Sequence, residues 1–230
     1  MEIAQEFLDI VPPVSQRLFA TVRRDIRRYM RSDSRDGHPR LCEKLRIFFG
    51  SPGLQSVLVY RFSSWVERSV HFTLIRYPLK LICYTLQKLC VICWGIHIDA
   101  SAQIGGGLYI GHFGGVLIGP IHMGSDCNIA QQVTIGRRAG NDTGVPIIGD
   151  RVWIGAGSIV FGGIHIGDGV TIGPLTVVGR SLPAKVLVMG NPMRLLRKDY
   201  DNSAEIYGMR ASRKRTPLAN SEVPEILSHV

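Results

Sequence analysis

The sequence predicts a mainly β chain: a parallel β-helix built from hexapeptide repeats, preceded by an α-helical N-terminal domain. Three observations carry that fold class. From Ile98 onward an aliphatic residue returns every six positions, through thirteen starts over roughly eighty residues. Before Ile98 the apolar residues fall instead at spacings of three and four. The 26 glycines gather between about 105 and 190, as a chain that turns every few residues requires.

Residues 1–96 read as helices. Ser15 to Met30 and Leu54 to Glu67 have helical periodicity, separated by the polar stretch RSDSRDGHPR and the turn-prone Gly50-Ser51-Pro52-Gly53. A third helix is expected over about 74 to 95, with Pro78 near its start, where a missing N–H is harmless. Leu74 to Ile96 is apolar enough to suggest a membrane span, but Arg76, Lys80, Gln87 and Lys88 interrupt it at roughly helical spacing. An amphipathic helix packed on a neighbour is the better reading, and it leaves peripheral membrane contact open.

The β-helix is expected over 97–183. Its hexads read IDASAQ, IGGGLY, IGHFGG and a start at Val116; then MGSDCN, IAQQVT and a start at Ile135; then IGDRVW, IGAGSI, VFGGIH, IGDGVT, IGPLTV and VGRSLP. The first position is aliphatic and stacks into the core. The fifth is small or β-branched, as at Ala102, Cys127, Val133, Val152, Ser158, Val170 and Thr176. Three hexads make one coil. The register slips by one residue near 117 to 122 and breaks between Gly136 and Ile147, where GRRAGNDTGVPI must loop out as a functional excursion. A closing segment follows over 184–200, and 201–230 reads as a basic, largely disordered tail.

The net charge of +9 and pI near 9.6 suit an acidic partner. The basic clusters at 17 to 47 and 194 to 215 lack the interleaved aromatics and zinc-ligand spacing of nucleic-acid modules, so no nucleic acid is expected. Five cysteines, an odd count without regular spacing, fit a reducing compartment, and Cys90 and Cys93 read as structural rather than as a metal or redox pair. No metal is expected. The acids of MEIAQEFLDI stand where a secretory signal needs a basic segment, so the location is read as cytoplasmic.

His112 sits in the third slot of IGHFGG and should face outward. The residues alone leave two readings open, a general base and a solvated rung. Here the chain resembles the serine acetyltransferases and related polysaccharide O-acetyltransferases of the hexapeptide-repeat superfamily. The resemblance covers about residues 22 to 197, in DIRRYMRSD (25 to 33), PGLQSVLVYR (52 to 61), IGHFGG, QQVTIG (131 to 136), IGAGSIV (154 to 160) and GNPMR (190 to 194). It implies a left-handed β-helix, a homotrimer or dimer of trimers, and transfer of acetyl from acetyl-CoA to a hydroxyl with His112 as catalytic base.

The departures from that family concern the acceptor. Where an Asp pairs with the catalytic His, fifteen residues before it, this chain has His97. Gly111 replaces an Asp, and Gly144 and Val145 stand where an Arg-His pair grips the amino acid's carboxylate, while Asp33 matches the acid that contacts its amine. A site lacking a carboxylate clamp suits a sugar hydroxyl in exopolysaccharide or capsule biosynthesis, with Asn141 and Asp142 in the loop as polar contacts. Arg137 and Arg138 would meet an anionic sugar or phosphate, or else replace the lost clamp, which keeps serine O-acetylation in cysteine biosynthesis as an alternative. A non-catalytic scaffold is the third reading. His97, Asp99 or a backbone carbonyl would orient His112. The resemblance sets the CoA arm beside Gly155, Ala156, Gly173 and Gly179, with Arg180 and Arg194, and Arg197 beyond them, near its phosphates.

Overall fold

The computed structural model describes residues 18–33, 41–140 and 144–207. Four helices come first: α1 (Leu18–Asp33), α2 (Leu41–Gly50), α3 (Pro52–Ser69) and α4 (Thr73–Trp94). The sequence expectation contained α1, α3 and α4 but no separate α2. Pro78 lies at the sixth residue of α4 rather than at its start. It is exposed there, so water can take the carbonyl that a proline leaves without a donor. α4 ends at Gly95, whose left-handed conformation (φ 63°) turns the chain directly into the first strand.

The strands form three faces of a β-solenoid of about five turns. The first face holds β1 (Ile96–Ile98), β4 (Val116–Ile118), β7 (Thr134–Gly136), β10 (Ile159–Phe161) and β13 (Val177–Val178). The second holds β2 (Gln103–Ile104), β5 (His122–Met123), β8 (Ile147–Ile148) and β11 (His165–Ile166). The third holds β3 (Tyr109–Ile110), β6 (Asn128–Ile129), β9 (Trp153–Ile154), β12 (Thr171–Ile172) and β14 (Leu187–Met189), and an antiparallel β15 (Arg194–Arg197) closes it. β14 pairs in parallel with β12, so the stack runs past Pro183.

Register explains why the hexads work. Ile98, Ile118, Ile135, Val160 and Val178 lie one above another and are buried, as are their counterparts on the other faces. The pairing also corrects the sequence register at one point. Val116 pairs with Ile96 and Ile118 with Ile98, so the first slot of that coil belongs to Ile118. Val116 occupies the small slot that Val133, Ser158 and Thr176 fill in later coils. The long loop is also smaller than expected. Ile129 pairs with Ile154, 25 residues on, while Ile154 pairs with Ile172 after 18, an excess of seven residues, fewer than the segment GRRAGNDTGVPI holds.

The helical unit is pinned on the first coil through a buried ion pair. Arg61 Nε lies 2.8 Å from Asp25 Oδ2, with both side chains almost fully buried. The guanidinium also donates to the carbonyls of Ile104 and Gly105 (both 2.5 Å), while Asp25 Oδ1 accepts from the amides of Gly107 and Leu108 (2.7 and 3.0 Å). Every charged atom in this contact thus has a partner, which a buried pair needs to be tolerated. Tyr60 Oη adds a bond to the Ala102 carbonyl (2.8 Å).

The chain expected to be disordered from 201 onward begins instead with α5 (Ser203–Tyr207). Asn202 donates to the Arg151 carbonyl (2.8 Å), Ile206 is buried, and Arg28 of α1 bonds both Asn128 and the Ile206 carbonyl. Residues 208–230 lie outside the described residues. Among the described residues, no helix is long and apolar enough to cross a membrane.

Candidate active site

His112 stands on an enlarged corner. Between the third face and the first, the later coils use three residues: Ala130 to Gln132 before Val133, and Gly155 to Gly157 before Ser158. The first coil uses five, Gly111 to Gly115, before Val116. Both ends of this longer corner are fastened. Gly111 N donates to Ile129 O (3.1 Å), Gly114 N to Trp94 O (2.8 Å), and Gly114 O accepts from Gln132 N (2.8 Å). The surplus therefore bulges outward, and His112 and Phe113 are both exposed. Gly114 and Gly115 supply the positive φ (102° and 69°) that the bulge needs. Phe113, 60% exposed beside His112, was missed by sequence reasoning, and an apolar residue in a solvent-facing slot was the signal that could have found it.

The predicted site residues separate onto the two edges that flank the first face. Gly155, Ala156 and Gly173 lie on the edge of His112, two and three coils further along, so Gly173 is roughly 14 Å away along the axis. Their backbone groups are largely engaged: Gly155 N bonds Ile172 O (2.8 Å), Gly173 N bonds Val188 O (2.7 Å), and Ala156 O accepts from Leu175 N (2.8 Å). The Gly155 and Gly173 amides thus hold the stack together and do not point free toward a ligand. Arg194 closes this edge opposite Met189, the residue packed against Gly173.

Arg137, Arg138, Gly179 and Arg180 occupy the other edge. Arg138 lies 5.1 Å over the Phe161 ring and donates to the Gly179 carbonyl (3.3 Å), which ties the start of the loop to the last coils. Arg137, Arg180 and Arg194 are exposed, and among the described residues none of them is in an ion pair. Asn141 and Asp142 lie outside the described residues, as does the side chain of Asp33 at the end of α1.

His97 is on the first face, where its outward row continues through Leu117, Thr134, Ile159 and Val177. It also lines a small cavity with Ser56, Gln87 and Cys90 at the junction of β1 with α3 and α4. Within the described residues no hydrogen bond joins His97 to His112. Among the described residues no hydrogen bond joins Asp99 to His112 either; its Oδ1 accepts from both the amide and the hydroxyl of Ser101 (2.8 and 2.6 Å). Cys127, the cysteine within the β-helix, is buried, and its thiol is pushed up to about 12, which suits packing and not nucleophilic attack. Among the described residues no group of His, Cys, Asp and Glu could hold a metal ion.

The chemistry on offer is an exposed imidazole at one edge of a flat face, with unpaired guanidinium groups at both edges. Comparisons with known proteins extend this picture. The family model for bacterial transferase hexapeptide (six repeats) matches residues 146–180. The chain is 30% identical over 211 residues to a serine acetyltransferase of Synechococcus elongatus, which covers 90% of this chain and 76% of that protein. It is 33% identical over 164 residues to a serine acetyltransferase of Helicobacter pylori, covering 70% of this chain and 91% of that one. Among solved structures, soybean serine acetyltransferase complexed with serine superposes with a TM-score of 0.64 at 25% identity, over 79% of this chain and 70% of the other.

Proposed function

The chain belongs to the hexapeptide-repeat acyltransferase superfamily, in its serine acetyltransferase-like branch, and is an acetyl-CoA-dependent acyltransferase; from that premise we propose L-serine as the acceptor and His112 as the general base. The similarity to serine acetyltransferases over 70 to 90% of the chain, helical unit included, is the observation that carries the acceptor. It favours serine over a polysaccharide hydroxyl and an enzyme over a scaffold.

A hydroxyl is a weak nucleophile at neutral pH. One ring nitrogen of His112 takes the hydroxyl proton as the oxygen bonds to the thioester carbonyl carbon. The resulting oxyanion collapses, the carbon–sulfur bond breaks, and the imidazolium returns its proton to the departing thiolate, leaving the acetyl ester and CoA. Positioned proton transfer of this kind contributes about 10²–10⁴-fold. The bulged corner supports this role because it lifts His112 clear of the hydrogen-bonded stack. Arg194, on the edge of His112, suits a CoA phosphate, being exposed and outside any ion pair among the described residues, while Arg138 and Arg180, on the other edge of the face, would meet the acceptor's carboxylate and CoA from a neighbouring copy of the chain. The aliphatic row on the first face, with Leu117 and Ile159 exposed, supports a homo-oligomer that covers it.

One observation favours a second acceptor. Gly111, Gly144 and Val145 offer no charge where the resemblance sets acidic and basic partners for an amino acid, so a sugar hydroxyl is the second reading. Release of CoA from acetyl-CoA, followed with serine and with nucleotide sugars, separates the two. Serine turnover that falls about 10²–10⁴-fold in His112→Ala, with an unchanged melting curve, is the expected result. Turnover of sugars alone would sink the serine reading, and full activity in His112→Ala would sink the mechanism.

A further inference from the structure

The outward side of α4 is apolar along its whole length. Leu74, Ile75, Leu81, Ile82, Leu89 and Ile92 are each between 48 and 78% exposed. The buried residues of this helix, Cys83 and Cys90, lie on the opposite side, where α4 packs against α3 and β1. Scattered exposed leucines are ordinary on a protein surface. A continuous row on a helix of 22 residues, roughly 33 Å long, marks a surface that something covers.

Charge identifies the occupant. α4 contains no Asp or Glu, and from Leu45 to Ile98 the chain has one acid, Glu67, against Arg46, Arg61, Arg68, Arg76, Lys80 and Lys88. Arg61 is buried with Asp25, and Glu67 is shared between Arg76 (3.4 Å) and Lys80 (2.9 Å). Lys88 is exposed over the Tyr84 ring (5.3 Å) beside the aliphatic row. A second copy laid face to face would bury Lys88 of each copy with no acid of the facing helix to meet it. A bilayer with anionic headgroups neutralises these charges and also takes up the aliphatic side chains. Tyr77 and Tyr84, both exposed, are of a residue type that settles at headgroup level.

We propose that α4 docks the protein on an anionic membrane surface. The helix lies in the plane of the interface with its aliphatic side in the headgroup–acyl boundary, and Lys88 at the edge of that side meets lipid phosphate, while Arg76 and Lys80 stay with Glu67 on the side toward α3. Its other side is held by α3 and β1, so it rests on the bilayer and does not cross it.

Flotation of the full chain with phosphatidylcholine vesicles, with or without about a third phosphatidylglycerol, tests the idea through its salt and charge dependence. Binding to the anionic vesicles, weakened by high salt and lost in the Leu81→Glu, Ile92→Glu double variant, is expected. Lys88→Ala, which leaves the aliphatic row intact, should weaken binding roughly fivefold. Both variants should keep the wild-type melting curve and acetyl transfer to a soluble acceptor, so a wrong acceptor assignment leaves this result standing. Failure of the wild-type chain to float with anionic vesicles overturns the proposal. So does equal binding by the double variant. Should the wild-type chain not float while the double variant breaks a larger assembly on size exclusion, the face is a contact between copies and the membrane assignment is wrong.

Discussion

Gly155 and Gly173 fill the same corner slot in successive coils, yet a methyl group would meet different surroundings at each. At Gly155 it would lie 2.6 to 2.9 Å from backbone atoms of Ile172, Gly173 and Pro174, which cannot move without parting the coils. At Gly173 the nearest atoms, 2.7 to 3.1 Å away, belong to the flexible side chain of Met189. Gly155→Ala should therefore cost about 1–3 kcal/mol in urea unfolding, and Gly173→Ala distinctly less. Equal losses would contradict the packing argument. The hexad pattern made both glycines legible as turn residues, but it carries no information on what stacks above each, because that neighbour is 16 to 18 residues away. His122 shows the same limit. Its sequence neighbours mark it as a surface residue, but burial, with Arg68 nearby, holds its pKa below the ordinary 6.5. The folded state thus favours neutral His122, and this stabilisation is full above pH 6.5 and is lost as the pH falls from there through the lowered folded-state pKa. The melting temperature should decline on acidification from neutral pH, and His122→Gln should make the decline shallower.

At the scale of elements, two of the three corners of each coil place a left-handed residue just before the small slot. Between the third face and the first the residues are Gly115, Gln132, Gly157 and Leu175, with Gly95 in the same place between α4 and β1; between the second and the third, they are Gly107, Asp126, Arg151, Gly169 and Lys185. Side chains other than glycine in this conformation are costly alone, by roughly 1–2 kcal/mol, so the stacked amide bonds across the corners must hold them. The bulge at His112 keeps this ladder and adds two residues outside it. A three-residue chimera of this corner that keeps the imidazole, with Phe113 and Gly114 deleted, should leave the coils folded, as circular dichroism would show, while acetyl transfer drops toward the His112→Ala level. An active chimera would mean that the bulge does not position the imidazole. Sequence periodicity could not see the bulge, because Val116 is aliphatic and six residues after Ile110, which makes a short corner and a long one read alike.

At the scale of the whole molecule, the helical unit is joined to the β-helix because the Asp25–Arg61 pair of α1 and α3 bonds the backbone of Ile104, Gly105, Gly107 and Leu108. Asp25→Ala strands a buried guanidinium and should cost about 3–5 kcal/mol in thermal or urea unfolding. The Asp25→Ala, Arg61→Ala double variant should not recover this, since the backbone groups of Ile104, Gly105, Gly107 and Leu108 lose their partners as well, at about 1–3 kcal/mol each when left buried. Full recovery would show that those backbone bonds are dispensable. The amino-acid sequence by itself determined the β-helix, twelve of the thirteen aliphatic starts read from it, the helices α1, α3 and α4 and the outward His112, because each follows from a period of six or 3.6 that local chain geometry enforces. Only the tertiary structure decided that Asp25 and Arg61 are partners, that Asp99 is committed to Ser101, and that Arg138 reaches Gly179. Apart from the local Asp99 turn, such pairings depend on which coil lies over which, and coil length varies from 16 to 25 residues with every corner and loop.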